Sequence, residues 1–149
     1  MKRIPFIATL TKNYNTVLDI GADHGWVLKK AFQKGYIKKA IASDLRVKPL
    51  LQCQKNLKNY PVTFCLSDGF QNINQDFDLA LICGMGTHTI IKIMEQAPDK
   101  SKHFLLGTQS KYYFLKQWLR ENNFIILEEN HLFDKFLYSF LKVTGINKI

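Results

Sequence analysis

Apolar residues along this chain gather into short continuous runs, and the segments between them carry helical spacing. Residues 16–21, 39–44, 62–66, 77–83 and 104–107 read as strands. The fourth is apolar almost throughout, as expected of a strand buried on both faces. Helices are predicted between them, over residues 26–34 with a stop at Gly35, from a first turn holding Pro49 to about Asn59 before Pro61, and over residues 87–94. An amphipathic helix over about residues 4–12 precedes the first strand. Ser110 is placed as the N-cap of a helix that carries Leu115, Trp118 and Leu119 and ends at Asn122-Asn123. Two long strand-like stretches follow, residues 124–133 and 136–143, separated only by Asp134-Lys135, so they should pair as an antiparallel hairpin. The expected architecture is α/β, with a mostly parallel sheet ending in that hairpin. The expectation is a single domain over residues 1–149 with a frayed tail at about 145–149.

Length and composition fit this picture: 149 residues suffice for one core, and 46% hydrophobic with 22% charged residues is ordinary for a folded protein. No apolar run approaches the ~18 residues that cross a bilayer. The opening Met1-Lys2-Arg3 resembles a leader only superficially, because Pro5 and Thr9 interrupt the apolar stretch behind it. A cytoplasmic protein with no membrane partner is expected. Cys53, Cys65 and Cys83 have neither C-x-x-C spacing nor paired histidines nearby, so buried, reduced thiols are expected and no metal site. Net charge changes the picture more. With 21 Lys and Arg against 12 Asp and Glu the chain carries +9, and a polyanion such as nucleic acid is the expected partner. A chain-wide Lys and Asn bias is the plainer explanation of the same charge.

The candidate chemistry sits at the strand ends. Val17-Leu18-Asp19-Ile20-Gly21-Ala22-Asp23-His24-Gly25 is a strand running into a tight turn that opens a helix at Trp26. Dinucleotide sites of this shape read G-x-G-x-x-G and leave backbone amides free for a pyrophosphate. This turn is G-x-x-x-G, and Asp19 and Asp23 place negative charge where a pyrophosphate would sit. A cationic, phosphate-free ligand fits better, and S-adenosylmethionine is one. Asp44, ending the second strand, is assigned to the ribose hydroxyls, and Asp68 in Ser67-Asp68-Gly69 to the adenine amine. Gly21, Gly25, Gly69 and Gly84 complete the cofactor set with Asp19 and Asp23. Ligands in open α/β sheets bind beyond the carboxyl ends of the strands, and all these residues fall there. Helix capping is the alternative for Asp23 or Asp44 taken singly, and a turn-forming role in Ser67-Asp68-Gly69 is the alternative for Asp68. Five parallel-type strands closed by a hairpin match the Rossmann-like class I methyltransferase arrangement.

Together with Lys38-Lys39-Ala40-Ile41-Ala42, Ser67-Asp68-Gly69, Cys83-Gly84-Met85-Gly86 and Trp118-Leu119-x-x-Asn122, the D-I-G-A-D-H turn resembles the bacterial tRNA adenine-22 N1-methyltransferase family over about residues 4–143. The resemblance implies methyl transfer from S-adenosylmethionine to N1 of a tRNA adenine. Because that nitrogen has a free lone pair, positioning is the main demand, and Asp23 and His24 are expected to manage the amine proton with Met85 in the cleft. No D/N/S-P-P-Y/F motif follows the fourth strand, which disfavours exocyclic amine methylation. The family continues into a helical RNA-binding extension, whereas this sequence stops at Ile149 and has Gly107-Thr108-Gln109 where the family often has Q-P-N. Weak tRNA affinity, or a separate RNA-binding partner chain, is the corresponding expectation. A non-catalytic RNA-binding module and a small-molecule methyltransferase are the competing readings.

Overall fold

A computed structural model describes residues 2–146. The chain divides into two compact units, Met1–Ala80 and Leu81–Ile149, with the division falling inside one strand. The first unit runs α1 (Arg3–Thr9), β1 (Thr16–Ile20), α2 (Trp26–Gln33), β2 (Lys39–Asp44), α3 (Val47–Asn56) and β3 (Val62–Leu66), and reaches the start of β4 (Leu79–Cys83). Its strands lie in the order β3-β2-β1-β4. Parallel pairing sets Thr16 opposite Lys39 and Ile20 opposite Ser43, and then Ala40 opposite Val62 and Asp44 opposite Leu66. This register lines up the carboxyl ends of β1, β2 and β3 on one edge. Val17, Leu18, Ile41 and Ala42 are buried, and α2 turns Leu28 and Ala31 onto the same core. β3 is only half-buried, with Leu66 exposed, as befits an edge strand.

The second unit continues β4 and adds α4 (Thr87–Glu95), β5 (His103–Thr108), α5 (Tyr112–Glu121), β6 (Phe124–Asp134) and β7 (Phe136–Gly145), in the strand order β4-β5-β7-β6. β7 pairs antiparallel with both β5 and β6, which makes the expected hairpin and gives the Rossmann-like methyltransferase architecture. Phe104, Leu106, Phe140 and Leu141 form its interior with Ile90 and Met94 of α4 and Leu115 and Leu119 of α5. The four-residue spacing of Leu115 and Leu119 puts both on one helix face.

Several boundaries move. β4 begins at Leu79 rather than residue 77, because Asp78 is occupied closing β1: its amide donates to the Thr16 carbonyl and its carboxylate accepts from the Thr16 amide at 2.8 Å. α3 ends at Asn56, short of residue 59. Lys135, at φ 64°, stands alone between the hairpin strands, since Asp134 already pairs with Phe136. Ser110 does not cap α5. The N-cap is Lys111 in a left-handed conformation, and the Ser110 carbonyl instead accepts from the hydroxyls of Thr87 at 2.7 Å and Thr108 at 2.8 Å. Nor is the tail frayed from residue 145: the Gly145 amide donates to the Lys100 carbonyl and the Ile146 amide to that of Asn123. Residues 147–149 of that expected tail lie outside the described residues. All three cysteines are free, but only Cys53 is buried, while Cys65 and Cys83 are partly exposed. Among the described residues no helix is long and apolar enough to cross a membrane.

Candidate functional site

The turn between β1 and α2 needs three left-handed residues within five positions: Gly21 at φ 75°, Asp23 at φ 53° and Gly25 at φ 82°. Two are glycine, which adopts that region without a Cβ penalty. Asp23 is the exception, and its amide is held by the Asp44 carboxylate, with Oδ2 accepting at 3.0 Å. The Gly21 and Ala22 amides donate to the Ser43 carbonyl at 3.0 and 2.8 Å, so the end of β2 fastens both sides of the turn. Asn56 of α3 donates from Nδ2 to the His24 carbonyl at 2.8 Å. Gly25 also has a packing reason. A Cβ there would stand 2.8 Å from Cys53 Sγ and 2.9 Å from Leu57 Cδ1.

Asp44 Oδ1 accepts from the Arg46 amide at 2.9 Å and from Arg46 Nε at 3.3 Å. Arg46 also reaches Asp23 Oδ1 at 3.7 Å, and His24 Nε2 lies 3.9 Å from that same oxygen. Asp44 does not cap α3, whose N-cap is Arg46; its carboxylate instead holds the chain entering α3 through one oxygen and the loop opposite through the other. Asp23 caps no helix, since the N-cap of α2 is Gly25. Asp19 is buried, and it carries no Lys or Arg partner among the described residues. Burial first, and then the charges of Asp44 and Asp23, hold its carboxyl up at about 7 instead of 3.8. The same surroundings push the buried Cys53 thiol up to about 12.

Asp68 is exposed at the end of β3, beside the buried Gly69 at φ 59°. The turn there is built by Ser67, whose hydroxyl donates to the Gly69 carbonyl at 2.8 Å and accepts from the Asn72 amide at 3.0 Å. The Asp68 carboxylate takes no part in it. In the second unit Gly84 and Gly86 are exposed and Met85 is partly buried, directly after β4. A Cβ on either glycine would meet nothing within 4 Å.

Residues 1–141 match the family described as Methyltransferase domain. The chain is 30% identical to the Mycoplasma genitalium protein named "Putative tRNA methyltransferase MG248", over 99% of this chain and 71% of that one. This chain belongs to the tRNA methyltransferase family. Among solved structures, M. capricolum TrmK in complex with S-adenosyl-homocysteine is similar at 25% identity and a TM-score of 0.88, over 97% of this chain and 68% of that one. Streptococcus pneumoniae Sp1610, described as a "putative tRNA (m1A22) methyltransferase" and solved with S-adenosyl-L-methionine, is 25% identical with a TM-score of 0.86, over 100% and 75% of the two chains.

Sequence reasoning about this methyltransferase missed Arg46, Asn56 and the bonding of the Thr87 and Thr108 hydroxyls to the Ser110 carbonyl. Arg46 had a signal, since an acid two residues before a basic side chain at a helix start forms a local turn. Apart from the Thr108–Ser110 bonds within one turn, the other contacts join residues 21 to 32 positions apart and had none. Asp19 yields a pH prediction. Near pH 4 its ionisation barely distinguishes folded from unfolded chain. As pH rises towards 7 the unfolded Asp19 ionises and the folded one does not, so stability falls by a few kcal/mol and stays low above 7. Asp19→Asn should therefore melt higher than the parent at pH 8, with the gap closing towards pH 4. A gap of equal size at both pH values would show that the buried carboxyl is already ionised.

Proposed function

We propose that this chain transfers a methyl group from S-adenosylmethionine to N1 of an adenine in tRNA, adenine 22 being the target. The observation carrying the reading is the acidic turn, where Asp19, Asp23 and Asp44 converge and, among the described residues, Arg46 alone supplies a strong cation. Such a site repels a pyrophosphate and favours a ligand bearing ammonium and sulfonium charges. Buried Asp19, without a cation of its own among the described residues, fits that chemistry.

The bound cofactor supplies an electrophilic methyl group on a sulfonium. Asp19 favours the cationic end. Asp44 accepts from the ribose hydroxyls through lone pairs left after its loop bonds, and the unengaged Asp68 carboxylate accepts from the adenine amine. Gly21, Gly25, Gly69 and Gly84 keep the backbone close to the ligand. On the substrate side the attacking nitrogen needs no activation, so alignment supplies most of the barrier reduction. Methylation makes the base cationic or demands loss of an amine proton. Asp23 and His24, both exposed and adjacent, stabilise that charge or accept the proton, and Met85 contacts the target base.

The test is nucleoside mass spectrometry of unmodified tRNA incubated with the protein and S-adenosylmethionine. We expect 1-methyladenosine at one position. N6-methyladenosine would overturn the N1 assignment. Cofactor binding by calorimetry without any tRNA methylation would favour the non-catalytic module.

A further inference from the structure

The second unit carries exposed aromatic rings and a cation that lie outside its apolar core. α5 is anchored by Leu115 and Leu119, both fully buried, yet its first turn turns Tyr113 outward at 81% exposure and Phe114 at 49%. Before them Lys111 occupies the left-handed region at φ 53° and ψ 41°, unusual for a long side chain, and makes no side-chain cap. Its ammonium goes instead to His88 on the first turn of α4, with Nζ 3.2 Å from Nε2. No carboxylate pairs with it among the described residues. The His88 ring meets Phe114 edge-on, 5.5 Å between centroids at 60°, which fixes the orientation of that ring. His88 follows the open Gly84-Met85-Gly86 segment by two residues, and the Thr87 and Thr108 hydroxyls bind the α4 start to the β5 end through the Ser110 carbonyl.

We propose that Tyr113, Phe114 and Lys111 form a stacking platform for an unpaired RNA base next to the target adenine, with the Lys111 ammonium on the adjoining phosphate. This rests on tRNA being the substrate. Aromatic faces accept any base, a nearby cation without an acidic partner suits the backbone, and the chain's charge of +9 suits a polyanion. His88 is a positioning residue that orients Phe114 and Lys111.

The experiment measures tRNA binding by filter retention at fixed salt, cofactor binding by calorimetry, and the KM and kcat for tRNA. Its variants are Tyr113→Ala, Phe114→Ala, their double, Tyr113→Phe and Lys111→Asn. Asn tolerates the left-handed backbone, so Lys111→Asn removes the charge without adding strain. The alanine variants should lose about tenfold or more in tRNA affinity. The loss should appear in KM rather than kcat, with cofactor affinity and melting temperature held, and Tyr113→Phe should bind like the parent. Affinity within twofold of the parent in the double variant, or a parent that binds no tRNA, would overturn the proposal. Because binding is read without methyl transfer, a parent that binds tRNA but does not methylate it refutes the proposed activity, while the variants still decide the platform.

Discussion

Asp44→Ala is expected to lower affinity for S-adenosylmethionine and its demethylated product by a hundredfold or more. The carboxylate accepts from the Asp23 amide at 3.0 Å, the Arg46 amide at 2.9 Å and Arg46 Nε at 3.3 Å, and it is buried. In the proposed complex it also accepts from the ribose. Hydrogen bonds to a charged group contribute about 1.5–3 kcal/mol each, so losing two ribose bonds already reaches that size. The damage extends further, because the left-handed Asp23 loses the acceptor that holds its amide. Asp44→Asn separates the effects. Its oxygen can still serve the Arg46 amide, but its NH2 group then faces the Asp23 amide, donor against donor. Calorimetric titration with S-adenosyl-homocysteine, alongside melting curves, reads both losses. Binding by Asp44→Ala within threefold of the parent would remove Asp44 from the ribose assignment.

Gly25→Ala should destabilise the fold by about 2–5 kcal/mol, combining roughly 1–3 for overpacking with roughly 1–2 for a side chain in the left-handed region. The new Cβ would lie 2.8 Å from Cys53 Sγ and 2.9 Å from Leu57 Cδ1, and both residues are fully buried. At about 2–4 °C per kcal/mol, the melting temperature should drop by about 10 °C. Gly35→Ala is the control: at φ 72° its Cβ would meet nothing within 4 Å, so it carries the conformational cost alone. Pairing Gly25→Ala with Cys53→Ala should recover part of the difference as a coupling between neighbours. Equal losses at Gly25 and Gly35 would show that close packing at the α2 start contributes nothing.

The strand ends were legible because they rest on local rules. Residues 39–44 and 62–66 form strands with the limits that their apolar runs suggested, the first closed by Asp44 and the second followed by Ser67-Asp68. The G-x-x-x-G spacing with two acids likewise announced a turn unsuited to a pyrophosphate. Ser110 was misassigned for the complementary reason. A serine before an amphipathic helix satisfies every local criterion for a cap, but its carbonyl is taken by two threonine hydroxyls, one of them 23 positions away. Asp19 shows the same divide in energetic form. Its residue type and place were plain in the sequence, whereas its raised pKa of about 7 arises from burial, from Asp44, which the parallel pairing of β1 with β2 brings beside it, and from Asp23 in the turn that follows. Sequence by itself determined which residues carry charge, which segments extend or coil, and where turns need glycine, because these depend on covalent geometry and neighbours a few positions away. The tertiary structure alone decided which amide Asp44 holds, what Gly25 must leave room for, and which side chains stay unused by the core, because those follow from distances between residues that only the folded chain makes short.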